Sequence, residues 1–151
     1  MTRVDVRVQA EDFDLAAETT AIQAAGVGAV ATFTGLCRDE GGRLEALELE
    51  HYPGMAEEAI AATARAATER WPLHALTVIH RHGRIAPGGN IVLVVAASRH
   101  RDAAFEAARF VMDYLKTDAP FWKKEWLTGG EQGEWVSARD TDDTARERWA
   151  K

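Results

Sequence analysis

With 151 residues, 46% of them apolar and 28% charged, the chain has the make-up of a single globular domain. Its longest apolar run, Ile91–Ala97, is far too short to span a bilayer. A net charge of −6 argues against general nucleic-acid binding, and the single Cys37 excludes an internal disulfide or a thiolate metal cluster. Near the N-terminus, Arg3, Asp5 and Arg7 alternate with valines and leave no apolar signal core, so a reducing cytoplasm is the expected setting. Charge is unevenly spread: residues 1–62 carry −8, residues 63–124 carry +5 and residues 125–151 carry −3. A basic middle in an acidic chain suggests a local anion site rather than a groove for a polyanion.

Arg3–Gln9 alternates with period two and predicts a strand. Asp14–Ala25 is alanine-rich and predicts a helix capped by Asp12 or Asp14. Gly28–Gly35 predicts a second strand, and Asp39–Arg43, with its paired glycines, a loop. Leu44–Tyr52 places Leu47, Leu49 and His51 on one face and Glu48, Glu50 and Tyr52 on the other, the pattern of a half-buried antiparallel strand. Pro53-Gly54 ends it. Met55–Arg70 then predicts a helix with Met55, Ala59, Ile60, Thr63 and Ala67 facing inward.

Leu73–His82 predicts a strand, Pro87–Asn90 a turn, and Ile91–Ser98 a strand buried on both faces. Arg99–Lys116 predicts a long helix with Phe105, Ala108, Met112 and Leu115 inward and Asp102, Glu106, Arg109, Asp113 and Lys116 outward. Pro120 stops it. Phe121–Leu127 and Glu134–Arg139 predict two further strands joined through Gly129-Gly130. The expectation is an α+β fold, a mainly antiparallel sheet with flanking helices, in one domain over residues 1–140. A charged tail occupies residues 141–151.

Two features carry chemistry. Ser98-Arg99-His100-Arg101 opens the long helix, where cations oppose the helix dipole unless an anion sits among them. The alternative is that these side chains face solvent and pair with Asp102 or Glu106. Lys116, Lys123 and Lys124 flank Pro120, and a lysine can act as acid, base or nucleophile. Lys116 also suits a helix C-terminus for purely structural reasons. Lys123 and Lys124 project from opposite faces of a strand, so at most one shares a pocket with Lys116.

His80 and His82 lack further ligands for a metal site, which favours a structural role. Cys37 reads as a packing residue, and no nucleophile elbow, P-loop or dinucleotide fingerprint is present. No metal or cofactor is expected.

Several strings go further. Ala29-Val-Ala-Thr-Phe-Thr-Gly-Leu-Cys-Arg38, Leu49-Glu-His-Tyr-Pro-Gly-Met55 and Val78-Ile-His-Arg-His-Gly83 occur in order. They are followed by Ser98-Arg-His-Arg101, Ala104-Phe-Glu-Ala107 and Met112-Asp-Tyr-Leu-Lys-Thr-Asp-Ala-Pro-Phe-Trp-Lys-Lys-Glu125. Across about residues 3–140 the chain closely resembles the family of large, catalytic subunits of molybdopterin synthase. That resemblance implies an α/β hammerhead fold and a sulfur transfer in molybdenum cofactor biosynthesis. Cyclic pyranopterin monophosphate would receive two sulfur atoms and become the dithiolene molybdopterin. The sulfur would arrive as a thiocarboxylate on the C-terminal Gly-Gly of a small ubiquitin-like subunit, within a heterotetramer built on a homodimer of large subunits.

By the same resemblance, Lys116 and Lys123 are the catalytic lysines. Arg38, His100, Arg101 and Arg139 would line the anionic substrate pocket. Lys116 would protonate the departing oxygen or hold the incoming thiocarboxylate. The chain departs from the family pattern at Leu36-Cys37, in the short acidic loop Asp39–Arg43 and at Asp118, none of which removes an expected site residue. The contrasting reading is a non-catalytic module that docks a ubiquitin-like protein or a small phosphate ligand.

Overall fold

The computed structural model describes residues 2–39, 41–118, 120–129, 132–136 and 147–149. The strand predicted to be buried on both faces lies at the centre of the larger sheet. This is β6 (Asn90–Ser98), flanked by β4 (Leu73–Arg81) and β2 (Ala29–Leu36), with β1 (Arg3–Gln9) outside β4. The β1–β4 pair is parallel, and the other two pairings are antiparallel. Val92, Val94 and Ala96 face α2 (Met55–Arg70) and α3 (Arg101–Asp118), within one core cluster. Leu93, Val95 and Ala97 face the other way, toward Phe13 and Ile22. A strand with apolar neighbours on both sides cannot alternate with polar residues, which explains its unbroken apolar run.

The second sheet has the order β5-β3-β7-β8, antiparallel throughout, with β3 (Leu44–His51), β5 (Gly83–Ile85), β7 (Phe121–Leu127) and β8 (Gln132–Val136). The fold is therefore α+β and mainly antiparallel as expected, with its strands divided between two sheets. The short β5 was not foreseen, because three residues offer too little pattern to register. The last expected strand, Glu134–Arg139, overlaps β8 over residues 134–136, and its residues 137–139 lie outside the described residues.

The first helix, α1 (Leu15–Ala21), is shorter than the predicted Asp14–Ala25. Asp14 caps it by accepting from the Ala17 amide at 3.1 Å, while Asp12 accepts from Phe13 and Asn90 instead. In α2 the buried stripe is Ala56, Ile60, Ala64 and Ala67, and Met55 is 57% exposed, so the expected inward face is corrected by a fraction of a turn. Alanine recurs on every side of this helix, and its pattern therefore leaves the rotational phase undefined. In α3 the predicted inward Phe105 is 63% exposed. Ala104, Ala107, Ala108, Phe110, Val111, Met112 and Leu115 are buried in its place. The small residues allow α3 to approach the sheet and α2 closely, and that close packing decides which face turns inward.

Near the chain's end, Trp149 is buried in the main core. Its indole lies edge-on to Trp71 at 5.5 Å and to Phe110 at 5.6 Å, and its Nε1 donates to Asp113 at 2.6 Å. The Arg70 guanidinium sits over the same ring at 5.6 Å and donates to the Trp149 carbonyl at 3.0 Å. This residue of the charged terminal segment is a core residue.

Candidate active site

The two sheets meet where β3, β4 and β7 end or begin. In the β3–β7 register His51 lies opposite Phe121. The Phe121 ring crosses to the larger sheet and stacks on His80 at 3.8 Å and 14°. His51 lies 5.9 Å from Phe121 on one side and 4.4 Å from His82 on the other. Four rings thus bridge the seam between the sheets. His80 has the same strand parity as Leu76 and Val78, which face the helices, so it lies on the helix side beneath the end of α3.

Lys116 stands in the last turn of α3 and is exposed. Lys123 lies two residues beyond Phe121 on β7, hence on the same face, and is half-buried. Both lysines disfavour protonation of the buried His80, after burial itself, the main cause. Lys124 takes the opposite face, opposite Glu48 in the register and 5.9 Å from the Trp126 ring. Lys123 and Lys124 thus lie on opposite faces of β7, as the strand parity predicts.

The Nδ1 of His80 lies 2.8 Å from the Arg81 carbonyl oxygen. A carbonyl can only accept, so Nδ1 carries the hydrogen and Nε2 keeps a lone pair. Burial is the main cause pushing the His80 pKa down to about 4; the carbonyl opposes it, and Lys123, Lys116 and His51 add to it. Burial likewise lowers His82, helped by His51 and opposed by Glu11 and Glu57. Burial raises the Cys37 thiol, which suits a packing residue rather than a thiolate nucleophile. Among the described residues no group of three His, Cys, Asp or Glu side chains could hold a metal.

The expected anion residues do not all converge within one chain. Arg38 follows β2 at the end where Cys37 exchanges backbone hydrogen bonds with Gly88 and Gly89, the same end of the sheet as His80 and Lys116. His100 and Arg101 lie at the other end of α3, both exposed. Fifteen residues of helix separate Arg101 from Lys116, a span of roughly 22 Å. Ser98 donates to the His100 carbonyl and closes the turn into the helix. A Cβ on Gly28 would strike the Arg99 carbonyl oxygen, so the lack of a side chain lets β2 start against this turn. Among the described residues, neither Arg99 nor Arg101 pairs with Asp102 or Glu106. Arg139 lies outside the described residues, and His80 was read from sequence as structural although the alternation of β4 places it here.

The MoaE protein family profile matches residues 8–118, most of the chain. The chain belongs to the MoaE family. Among its MoaE relatives, the molybdopterin synthase catalytic subunit of Mesorhizobium japonicum is 66% identical over 146 residues, covering 95% of this chain and 92% of the relative. The solved molybdopterin biosynthesis MoaE protein from Burkholderia ambifaria superposes with a TM-score of 0.83 at 48% identity, covering 98% and 99% of the two chains. The molybdopterin synthase structure from Staphylococcus aureus gives a TM-score of 0.78 at 29% identity, covering 86% and 95%. The matched MoaE segment contains Arg38, His80, His100, Arg101 and Lys116, and the longer relatives extend the similarity through Lys123.

His80 also makes stability depend on pH. Its folded-state pKa is depressed, so its neutral form stabilises the fold fully above the unfolded value of 6.5, and this is lost as pH falls toward 4. Over that window the group costs on the order of 3 kcal/mol. Urea denaturation at pH 7 and pH 4 measures it: His80→Phe should lose less stability on acidification than the wild type, the carboxylates being common to both.

Proposed function

We propose that this chain is the catalytic subunit of a molybdopterin synthase. It transfers sulfur from the C-terminal thiocarboxylate of a small ubiquitin-like subunit to cyclic pyranopterin monophosphate, in the cytoplasm. The observation that carries this reading is the MoaE match over residues 8–118 together with 66% identity to a molybdopterin synthase catalytic subunit, in a fold that carries Lys116 at the end of α3 and Lys123 on β7. The nucleophile belongs to the partner, so this chain supplies cations and a proton donor rather than a cysteine or a metal. In each transfer a carbon–sulfur bond forms on the pterin side chain and a carbon–oxygen bond breaks. The departing oxygen takes a proton from Lys116, and water at the acyl carbon returns the carrier as an ordinary carboxylate. Two carriers are spent per product. Lys123 holds the acyl-sulfur anion as the extended Gly-Gly tail reaches the seam.

The substrate phosphate is held by Arg38, His100 and Arg101, with Arg139 assigned to the same pocket from the family pattern. A span of roughly 22 Å between Arg101 and Lys116 is too long for one small substrate to bridge. The site is therefore assembled in a homodimer, with the start of α3 from one subunit meeting the lysines of the other, and a small subunit at each end. Incubation with thiocarboxylated small subunit and cyclic pyranopterin monophosphate should yield molybdopterin, quantified as its fluorescent oxidation product. Binding of the small subunit with no product would instead establish a docking module.

A further inference from the structure

The larger sheet has two edges, and they are built differently. β1 forms one edge, and its Arg3, Asp5 and Arg7 put charge along it. β2 forms the other, and from Ala29 to Leu36 it carries no charged residue. Among the described residues only β6 pairs with β2, so its outer side offers backbone donors and acceptors to a further strand. Apolar side chains border that side. Phe33 shares the helix-side face of Ala31, yet it is 42% exposed. In α3, Phe110 turns toward Trp71 at the end of α2. Arg101, Phe105, Met112 and Lys116 follow helical spacing along the flank turned away from it. Phe105 is 63% exposed there.

We propose that two copies of this chain join by antiparallel pairing of their β2 edges, about a twofold axis at Phe33. The inference rests on the functional reading above for one thing, the need for a site drawn from two subunits. Geometry supplies the rest. Directly opposed residues of an antiparallel pair share a face, and a twofold through the sheet preserves faces. The axis must therefore sit at a residue that pairs with its own copy. Phe33 is that residue, because self-pairing covers its exposed ring. α3 lies over both β6 and β2. With strands about 4.8 Å apart, the two α3 helices then run side by side roughly 10 Å apart, the spacing of packed helices.

The midpoints of strand and helix also agree. Ala29 pairs with Ser98, which closes the turn into α3, so β2 and α3 start near the same level. Phe33 lies roughly 13 Å along β2, and the midpoint of Arg101 and Lys116 roughly 11 Å along α3. One axis serves both. It sets Arg101 of each copy beside Lys116 of the other, and Phe105 beside Met112. Cations brought together in this way repel unless an anion lies between them, which the substrate phosphate supplies.

The test uses the full chain without substrate. Phe33→Cys places two thiols at the axis, where facing Cα atoms lie about 4.5–5.5 Å apart, within disulfide range. Under mild oxidation with diamide this variant should become a covalent dimer. Thr32→Cys, one residue off the axis, should cross-link about 10-fold more slowly. The wild type, whose Cys37 is buried, should form none, and neither should Val4→Cys on the other edge. Phe33→Asp sets like charges face to face. Sedimentation velocity should show its dimer dissociation constant raised about 100-fold, with the fold of the monomer retained.

Hydrogen exchange of the wild type needs no variant to fold: consecutive amides along β2 should all be protected, where a free edge leaves alternate ones fast. Fast alternate amides in β2, or a Phe33→Asp chain that dimerises like the wild type, overturns the proposal. So does a Phe33→Cys chain that cross-links no faster than Thr32→Cys or Val4→Cys. Protection of β2 that appears only with added small subunit also overturns it, assigning that edge to the partner's tail. None of these readings involves turnover, so a wild type that makes no molybdopterin would sink the functional reading and leave the β2 pairing standing.

Discussion

Replacing Lys116 with alanine is expected to lower molybdopterin formation by about 10²- to 10⁴-fold, the range that loss of a general acid produces. The side chain is exposed at the end of α3, so its removal leaves the core untouched and the variant should melt with the wild type. Lys116→Arg keeps the charge but cannot give up its proton, and should remain slow. A variant restored by arginine would mean that Lys116 acts only by attracting the thiocarboxylate. The kinetic measurement is a single-turnover rate with saturating thiocarboxylated partner, which separates the chemical step from docking.

Replacing Trp149 with alanine is expected to destabilise the fold by about 3–5 kcal/mol, as for other large buried aromatics. The indole fills the space between Trp71 and Phe110, and its Nε1 satisfies the mostly buried Asp113 carboxylate. Truncation removes both terms at once. Trp149→Phe separates them: the ring packing is largely retained, and losing the hydrogen bond to a charged group costs roughly 1.5–3 kcal/mol. Asp113 lies one turn before Lys116 on α3, so the terminal segment also steadies the helix that carries Lys116. Urea denaturation of the three proteins orders them as wild type, Trp149→Phe, Trp149→Ala.

The strands were legible where one face is wet. Arg3–Gln9 matches the observed β1 at both ends, and the alternation of Leu44–Tyr52 marks β3 to within one residue. The helix faces were less legible because alanine is apolar without being large. In α2 and α3 the deciding term is how closely backbones can approach, a property of the assembled layers rather than of either segment. The division into two sheets was invisible for a related reason: the pairing of β3 with β7 joins segments about seventy residues apart.

Among the site residues, Lys116 and Lys123 were chosen on spacing and resemblance, and the fold sets them at the end of α3 and on the Phe121 face of β7. His80, read from sequence as structural, is buried, stacked on Phe121 and bonded to the Arg81 carbonyl, surroundings that arise only once β4 and β7 are packed together. His100 and Arg101 sit as expected beside the helix start, and the predicted helix Arg99–Lys116 already set them a helix length away from Lys116.

Assembly of one substrate site from two subunits is tested most directly by complementation between defective chains. Lys116→Ala and Arg101→Ala should each be nearly inactive as homodimers. In a mixed dimer, one site draws its lysine from the Arg101→Ala chain and its arginine from the Lys116→Ala chain, and is intact. Random exchange of equal amounts should therefore restore product formation to about one quarter of the wild-type level, since half the dimers are mixed and one site in each is whole. Mixtures that exchange subunits and stay inactive would place Lys116 and Arg101 in the same chain's site and contradict the account.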